Sequence, residues 1–346
     1  MSRAHPITST TTPFVIALCR PGFEHAVVTE LEGYGLRAAF RRPGFVSFKP
    51  EHVFSADDVR SLSMIFARRL GLSAGPIEDE TDAVERAIDI ATAAGARLHV
   101  LAREGLLGDD PIDLVDDRAR ALQRVIDRRR PPPTARDVPV VELIRVEDGD
   151  DPSDARYVVV KAIGGLLDAP GGTPHVAVPE ASPSRAFRKL EDAAARFGLR
   201  VGAGDVAVEV GASPGGVTLA LLRRGVEVTA IDPNALDAGV LASGPVRHLR
   251  IPVEKINLDW LPRATFLVLD INQPPRSALA ALAPVAEHLL PTLRSAVLTL
   301  KMGDRVVLDE IPHWHAIVRR MFRGFEIEMA QLPSNKSEIS VGLWRL

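Results

Sequence analysis

The stretch DVAVEVGASPGG, residues 205–216, decides the fold of the chain. Its valines follow the pattern of a buried strand, and the strand runs into a tight turn that is rich in glycine. A buried strand that ends in such a turn is typical of a binding site for a nucleotide-like ligand. From here to residue 346 strand and helix patterns alternate, which predicts an α/β fold with a mostly parallel sheet.

The spacing of the turn indicates the class of ligand. A dinucleotide fingerprint reads G-x-G-x-x-G, whereas the turn here reads Gly211, Ala212, Ser213, Pro214, Gly215, Gly216. The glycine two positions after Gly211, which a site for the pyrophosphate of a dinucleotide needs, is absent. Asp232 ends the next strand, where ribose hydroxyls would need an acceptor, so S-adenosylmethionine fits both features. The glycines alone also fit a plain tight turn.

The composition is that of a soluble globular protein. At 346 residues, with 46% apolar and 25% charged residues, the chain is long enough for two or three domains. It contains no uninterrupted apolar run of about 18 residues, and its N-terminus lacks the apolar core of a signal peptide. We therefore expect a cytoplasmic protein without a membrane partner. The single cysteine, Cys19, excludes an internal disulfide and a cysteine-rich metal site.

The charge pattern limits how the chain could hold a polyanion. The net charge of -3 argues against nucleic-acid binding through bulk positive charge, so an RNA partner would need local basic patches, and DNA is not expected. Only six of the 42 basic residues are lysines. Where charge alone is needed the chain uses arginine, so a lysine in a motif indicates chemistry that arginine cannot do, such as giving up a proton.

The front half of the chain reads as two small α+β units. Residues 1–12 predict a disordered tail, residues 13–78 the first unit and residues 79–168 the second, whose element order suggests an RNA-presenting module. The arginines at 128–130 could clamp phosphate or simply complement a helix dipole. Residues 169–182 are rich in proline and glycine and predict an interdomain linker.

Three ionisable groups are expected at one edge of the C-terminal sheet. Strands end near Asp270 and Lys301, and ligands of open parallel sheets bind outside these carboxyl ends. The last two strands are joined only by residues 333–337, which are too few for a crossover. The final strand must therefore run antiparallel and begin, with Glu338, at the same edge.

A fourth group comes from the helix before the glycine-rich turn. Ser182 and Pro183 predict its start, as a cap followed by proline at the first helical position. The apolar stripe of this helix leaves Lys189 off the buried face. We therefore expect Lys189 to join the strand-end groups, although each of the four taken alone also reads as a surface charge.

Two lysines and two acids suit methyl transfer to a hydroxyl. A ribose hydroxyl attacks a sulfonium poorly until its proton is removed or its developing charge is stabilised. If Lys301 is desolvated, its pKa falls and it can accept that proton. Asp270 and Glu338 would orient the lysines, and Lys189 would orient the acceptor.

The motifs SRAFRKLEDA, EVGASPGG, LVLDINQPP, TLKMG and NKSEISV resemble, in this order, those of the FtsJ-like ribose 2'-O-methyltransferases. The resemblance covers residues 183–346. It implies a Rossmann-like class I methyltransferase sheet with an antiparallel last strand and S-adenosylmethionine as cofactor. It assigns the catalytic roles to Lys189, Asp270, Lys301 and Glu338.

The front of the chain carries a resemblance of its own. The segments CRPGFEHAVVTEL, SLSMIFARRL and VPEASPSR are similar to those of RlmM-type enzymes, which methylate a cytidine ribose of large-subunit (23S) rRNA. This resemblance implies a ferredoxin-like domain over 13–78 and a THUMP-like RNA-binding domain over 79–168. The implied partner is 23S rRNA or a precursor particle.

The chain departs from the FtsJ-like pattern around the cofactor. Glu209 stands where the family has aspartate, and Val217 where it has an aromatic residue. The carboxylate expected to hold adenine is replaced by Ile251 and Pro252, with Glu254 two positions on. The implied cofactor contacts are the turn, its flanks and three further carboxylates: Glu209, Gly211, Ala212, Ser213, Pro214, Gly215, Gly216, Val217, Asp232, Glu254 and Asp270.

Three other functions fit parts of the sequence, and the first is a methyltransferase that acts on another RNA nucleotide. A methyltransferase for an exocyclic base nitrogen would carry an N/D-P-P-aromatic loop, but residues 272–276 read NQPPR and lack the aromatic that stacks on a flipped base. The chain could instead be an RNA-binding module with an inactive methyltransferase domain. A zinc site at His313 and His315 is disfavoured, because two helical residues at this spacing point in different directions; no metal is expected.

Overall fold

The computed structural model describes residues 14–108, 113–135, 137–147, 156–303 and 308–346. The chain divides into two compact units, Met1–His175 and Val176–Leu346, and the described part of each contains a seven-stranded sheet. The predicted tail, residues 1–12, lies outside the described residues. Within them, no helix is long and apolar enough to cross a membrane.

The first unit is built on a mostly antiparallel sheet. Its elements are β1 (Phe14–Cys19), α1 (Glu24–Glu32), β2 (Leu36–Arg42), β3 (Phe45–Pro50), α2 (Ala56–Ser61), β4 (Ala67–Ile77), α3 (Glu80–Ala93), β5 (Arg97–Ala102), α4 (Asp117–Arg129), β6 (Val140–Glu147) and β7 (Arg156–Gly165). The strand order is β2-β3-β1-β4-β7-β6-β5, and the pair β5–β6 is parallel.

One long strand joins the two front units that the sequence predicts. β4 pairs with β1 along one side and with β7 along the other, so the boundary predicted at residue 78 lies just after a strand that both halves share. The two halves therefore form one continuous sheet. The names ferredoxin-like and THUMP-like for its halves stay a prediction.

The predicted linker begins inside the first unit. Arg69 and Glu142 form an ion pair that is fully buried in the sheet. Buried charges need further hydrogen-bond partners, and residues 169–173 supply them: the Arg69 guanidinium donates to the Ala169 carbonyl at 2.7 Å, and the Gly171 N–H donates to Glu142 at 2.8 Å. The first residues of this segment therefore pack within the first unit, and the interdomain linker over 169–182 stays a prediction.

The second unit is the α/β domain that the glycine-rich turn predicts. Its elements are α5 (Phe187–Phe197), β8 (Val206–Val210), α6 (Gly216–Arg223), β9 (Glu227–Ile231), α7 (Ala238–Leu241), β10 (Val246–Leu249), β11 (Phe266–Leu269), α8 (Pro275–Leu289), β12 (Ser295–Lys301), α9 (Ile311–Met321), β13 (Glu326–Ala330) and β14 (Glu338–Trp344). The strand order is β10-β9-β8-β11-β12-β14-β13.

This topology confirms the predicted Rossmann-like class I methyltransferase sheet. Strands β8 to β12 run parallel, and β14 lies between β12 and β13, antiparallel to both. The carboxyl ends of the parallel strands and the start of β14 therefore share one edge of the sheet. Helix α6 packs its apolar residues, such as Leu219 and Leu221, into the core beside β8.

Helix α5 begins later than the sequence predicts. Its first residue is Phe187, not Pro183, because Ser182 donates its hydroxyl hydrogen to the Ser184 carbonyl in a separate turn instead of capping the helix. The helix ends at Gly198, which adopts the left-handed conformation with φ 63°. Phe187 and other apolar residues of α5 are buried, and Lys189 lies off this face as expected.

Candidate active site

Four ionisable side chains meet at the carboxyl edge of the second sheet. Lys189 Nζ lies 2.8 Å from Asp270 Oδ2 and 3.2 Å from Glu338 Oε1. Lys301 Nζ lies 2.8 Å from Asp270 Oδ1 and 2.6 Å from Glu338 Oε1. Each lysine thus bridges the same two carboxylates. The structure brings together the four residues that the sequence assigned to this edge, and their catalytic roles stay a prediction.

The strand register explains why these residues meet. Lys301 ends β12 and lies directly opposite Glu338, the first residue of β14. Directly opposite residues of an antiparallel pair project to the same face. Asp270 follows β11, the parallel neighbour of β12, and Lys189 lies in the first turn of α5. Residues spread over 150 positions therefore converge because β11 and β12 end, and β14 and α5 begin, at the same edge.

The arrangement keeps Lys301 charged. Burial alone disfavours its ammonium form, but the adjacent carboxylates of Asp270 and Glu338 raise the pKa of Lys301 well above its usual value. Burial also opposes ionisation of Glu338, yet the two lysines lower the pKa of its carboxyl to about 2. Desolvation lowers the pKa of Lys301 as expected, but two carboxylates in hydrogen-bond contact outweigh it, and proton acceptance by Lys301 stays a prediction.

A hydrogen-bonded loop holds Glu338 next to α5. The buried carboxylate of Asp192, one turn after Lys189 on α5, accepts the backbone N–H of Ser334 at 2.8 Å. The second oxygen of Glu338 accepts the Lys336 N–H at 3.1 Å. The loop between β13 and β14 is thereby fixed to the helix that carries Lys189. We call the bond between Asp192 and Ser334 the latch, and the four side chains of Lys189, Asp270, Lys301 and Glu338 the quartet. The latch sets the positions of two members of the quartet, Lys189 and Glu338.

A cleft opens beside the quartet, outside the ends of β8, β9 and β11. Its volume is about 330 Å³, which lies within the range of small-molecule sites. Asp270 belongs to both the cleft and the quartet. Asp232 also lines the cleft, and its two oxygens accept the N–H groups of Ser213 at 3.1 Å and Asn234 at 2.8 Å. These bonds fix the Asp232 carboxylate toward the cleft.

Gly211 lets the cleft and the quartet lie so close together. It has a φ of 86°, and a Cβ added there would lie 2.5 Å from the Asp270 carbonyl oxygen. Both the left-handed backbone and the contact with β11 therefore require glycine. The glycine that the sequence analysis assigned to ligand approach also fixes the distance between two strand ends.

Comparisons with known proteins agree with this site. Residues 183–274 match the model of the FtsJ-like methyltransferase family. The ribosomal RNA large subunit methyltransferase M of Cellvibrio japonicus (strain Ueda107) is 30% identical, over 70% of this chain and 75% of that protein. The chain belongs to the family of ribosomal RNA large subunit methyltransferase M.

Other members of the methyltransferase M family match along the whole chain. The relative from Azoarcus sp. (strain BH72) is 26% identical and covers 99% of both chains. Among solved structures, TrmN from Thermus thermophilus aligns over 96% of this chain and 99% of its own, with 16% identity and a TM-score of 0.35, a likeness too weak to add to the assignment. Membership of the family makes the chain an S-adenosylmethionine-dependent methyltransferase.

The cleft fits the methyl donor that the family uses. Asp232 and Asp270 line the cleft, where Asp232 would accept hydrogen bonds from ribose hydroxyls and Asp270 would face the cationic part of the donor. Apolar walls suited to a purine ring come from Pro252, Val253 and Ile271. When bound, the donor supplies an electrophilic methyl group. Glu254 lines the same cleft and accepts a hydrogen bond from Gln273 at 3.2 Å.

The predicted cofactor residues divide between the cleft and the protein behind it. Five line the cleft: Gly211, Ser213, Asp232, Glu254 and Asp270. The other six do not line it, and all of them except the exposed Pro214 are buried. Val217 is buried in the hydrophobic core, and a Cβ at Gly216 would lie 2.3 Å from the Ser184 hydroxyl. For Val217, Gly216, Ala212, Pro214, Gly215 and Glu209, a direct cofactor contact stays a prediction.

Glu209 lies beneath the cleft as a neutral acid. Its carboxyl is 1% exposed and accepts a hydrogen bond from the Thr218 hydroxyl at 2.7 Å. Burial, together with the negative charges of Asp270 and Asp232, raises the pKa of Glu209 to about 8. At neutral pH it therefore holds its proton.

The sequence analysis missed part of the cleft lining. Asn234, Val253 and Ile271 come from loops that follow β9, β10 and β11. All of them stand within a few residues of a strand end, which is the signal that could have found them. Asn272 and Gln273 line the cleft as well, although the sequence analysis considered them only for the aromatic residue that they lack.

The arginine cluster at 128–130 is partly used inside the first unit. Arg129 forms a double hydrogen bond with Glu85, at 2.6 and 2.7 Å. Arg130 donates to the Ala91 carbonyl at 3.0 Å. The phosphate-clamp hypothesis stays a prediction, and two of its three side chains already have partners within the fold.

Proposed function

We propose that this chain transfers a methyl group from S-adenosylmethionine to a ribose 2'-hydroxyl of large-subunit ribosomal RNA. The observation that carries this proposal is the position of the quartet: two lysines and two carboxylates stand at the edge of a cleft with which they share Asp270. A cleft for the donor and polar groups for an acceptor hydroxyl are thus adjacent. The relatives' name supplies the RNA class, and the resemblance noted above supplies a 23S cytidine as the target, in free rRNA or in a precursor particle.

Lys301 activates the acceptor as a charged hydrogen-bond donor. As the acceptor oxygen attacks, its O–H bond weakens and negative charge grows on the oxygen, and a fixed ammonium stabilises that charge most where water is excluded. The raised pKa of Lys301 supports this role over that of a base. Lys189, held by the same carboxylates, orients the acceptor.

The proton balance assigns a task to the carboxylates. Methylation turns the hydroxyl oxygen into an ether, so the hydroxyl proton must leave as the new C–O bond forms. Asp270 and Glu338 are the oxygen bases nearest to Lys301, at 2.8 and 2.6 Å. We assign the proton to Asp270, the carboxylate that also lines the donor cleft, and from there it passes to water.

The test is methylation of rRNA isolated from a strain that lacks the gene. Incubated with purified protein and methyl-labelled S-adenosylmethionine, large-subunit rRNA should gain label at one position, and the product should resist alkaline cleavage there, because a 2'-O-methyl group blocks attack on the neighbouring phosphate. A matched reaction with rRNA from the wild-type strain should gain little, since that position is already methylated. Label recovered on a base would contradict the proposal.

The alternative is an RNA-binding protein with an inactive methyltransferase domain. The absence of the family's adenine carboxylate favours it, since Ile251 and Pro252 stand at that place. The quartet opposes it, because two partly buried lysines held by two carboxylates are costly to keep without a task. Calorimetry with S-adenosylmethionine separates the two: failure to bind at millimolar concentration would leave only the RNA-binding role.

A further inference from the structure

A second cleft lies in the first unit, on one face of its sheet. Its volume is about 430 Å³, and nothing in the proposed methyl-transfer chemistry uses it. Three phenylalanines and three basic residues line it: Phe14, Phe40, Phe45, Arg37, Lys49 and Arg156. Aromatic residues are only 5% of this chain, so three of them in one cleft with three basic groups is a concentrated arrangement.

The strand register places these residues in rows across one face. In the antiparallel pair β2–β3, Arg37 lies opposite Lys49 and Phe40 lies opposite Ser47. In the pair β1–β3, Ile16 lies opposite the same Ser47, which continues the row. Residues directly opposite each other share a face, so the basic pair and the aromatic ring occupy neighbouring rows.

The other face of the same strands is closed. Val15 and Val46 alternate with the cleft residues along β1 and β3, and both are fully buried. Helix α1 packs against β1, β2 and β3 and buries Val27 and Leu31. The cleft therefore lies on the other face of these strands, beside a hydrophobic cluster that buries Ile16 and Phe45, while Phe14 and Phe40 at the edge of the cluster are only partly buried.

The basic groups of the cleft differ in their partners. Arg156 is held by Glu147 at 3.0 Å and by Glu78 at 3.5 Å. Arg37 and Lys49 are exposed, and within the described part of the chain neither forms an ion pair. Their two positive charges stand side by side at the cleft, and no carboxylate of the described residues forms an ion pair with either of them.

We propose that this cleft binds an unpaired nucleotide of the RNA substrate. Aromatic rings stack on any base, and neighbouring cations pair with the backbone phosphate, which is how proteins hold single-stranded nucleic acid. Phe14 and Phe40 supply the apolar rings, and Arg37 and Lys49 supply the phosphate contact. The chain carries a net charge of -3, so affinity for a polyanion must come from such local groups. The choice of RNA as the ligand rests on the proposed function.

The test measures the affinity of the full-length protein for a short fluorescent oligoadenylate and for a duplex RNA of the same length. The double variant Arg37→Ala/Lys49→Ala should bind the single strand about tenfold more weakly, with a shallower salt dependence by about 0.7 per residue in the log–log slope. The control is Arg41→Ala, which removes the same charge from β2 but lies opposite Val46, on the other face. It should bind like the wild type.

The aromatic part has its own pair of variants. Phe40→Leu keeps an apolar side chain but removes the stacking ring, and should weaken oligoadenylate binding about fivefold or more. Tyr34→Leu removes an exposed aromatic side chain outside the cleft and should leave binding unchanged. Thermal melting of each variant checks that the fold is intact.

The outcomes separate this proposal from the methyl-transfer proposal. If the double variant and Arg41→Ala bind equally, if Phe40→Leu and Tyr34→Leu bind equally, or if the wild type prefers the duplex or binds neither RNA, the cleft proposal is overturned. Weakened binding in the cleft variants supports it, even where the wild type transfers no methyl group to rRNA. That second result would overturn the proposed function alone.

Discussion

At the scale of single residues, Lys301 shows how far a motif predicts chemistry. Its place beside Asp270 and Glu338 follows from strand ends and topology, and the sequence was sufficient to predict it. Its protonation state depends on the distances from its Nζ to Glu338 and Asp270, 2.6 and 2.8 Å, which the spacing of residues along the sequence does not determine. Burial and opposite charge shift the pKa of a lysine in opposite directions, and only coordinates decide which effect is larger.

The variant Lys301→Arg tests whether charge is what Lys301 contributes. Arginine keeps the positive charge but cannot give up its proton at any working pH. We expect the arginine variant to retain at least about tenfold more methyl-transfer activity than Lys301→Ala, because a cation still stabilises the acceptor oxygen. Initial rates at saturating donor measure this. Equal activity of the two variants, with donor affinity intact, would assign proton acceptance to Lys301 instead.

Glu209 gives a prediction for stability against pH. Its carboxyl has a pKa of about 8 in the folded protein against 4.5 for an ordinary glutamate. Between these values the unfolded chain has lost the proton and the folded protein still holds it, so the free energy of unfolding falls as pH rises through this window. The variant Glu209→Gln is neutral throughout and should gain melting temperature relative to wild type as pH increases from 5 to 8.

The control for this measurement is an exposed carboxylate on the neighbouring strand. Glu227→Gln makes the same chemical substitution at the solvent-facing start of β9. Its melting temperature should track the wild type across the same pH range. If Glu209→Gln and Glu227→Gln behave alike, burial does not hold the proton on Glu209.

At the scale of elements, the apolar periodicity of the sequence predicts the strands and helices, but it does not predict where a helix starts or how the connecting segments pack. Each strand predicted in the second unit is present, because alternating apolar runs bounded by glycine and proline have few alternatives. Ser182 and Pro183 predicted the wrong start for α5, since a serine hydroxyl can bond to a nearby carbonyl as well as cap a helix. The sequence of residues 169–173 predicts a linker. These residues are packed because they supply hydrogen bonds to the buried ion pair of Arg69 and Glu142, a contact that the local sequence does not reveal.

The latch between α5 and the β13–β14 loop predicts a separable effect on catalysis. Asp192→Ala leaves the Ser334 N–H without its acceptor and frees the loop that carries Glu338. We expect a loss of about 1–3 kcal/mol in stability and a lower kcat with nearly unchanged donor affinity. Asp192→Asn keeps an acceptor oxygen and should retain most of the rate.

Glu191→Ala is the matched control on the same helix. Glu191 pairs with Arg224 at 2.6 Å on a partly exposed surface, where such pairs are worth about 1 kcal/mol or less. Its kcat should be that of the wild type. If Asp192→Ala and Glu191→Ala slow catalysis equally, the latch does not position the quartet.

At the scale of the whole molecule, the tryptophans distinguish the two units of the chain. The three tryptophans, Trp260, Trp314 and Trp344, all belong to the second unit. Tryptophan fluorescence therefore reports on the methyltransferase domain, whereas far-ultraviolet circular dichroism reports on both units. The sequence predicted two domains at the front where one sheet exists, because the pairing of β4 with β7 is a long-range contact that local patterns do not contain.

The variant Glu142→Ala uses this difference. It leaves Arg69 as an uncompensated charge in the first core, which costs about 3–5 kcal/mol when a buried pair loses one partner. We expect an early circular-dichroism transition in urea with an unchanged tryptophan transition. Glu85→Ala, which breaks an exposed pair with Arg129, should alter neither. If the tryptophan midpoint shifts together with the early circular-dichroism transition, the loss of Glu142 also destabilises the second unit, and this prediction is wrong.

The measurement that tests the central claim most directly is a paired assay of Lys301→Ala. Donor affinity is measured by calorimetry with S-adenosylmethionine, and methyl transfer is measured by single-turnover label incorporation into large-subunit rRNA. The account predicts a donor affinity within about threefold of wild type and a rate at least about 100-fold lower, because the charged donor to the acceptor oxygen is removed while the cleft is intact. A rate equal to that of the wild type would contradict it.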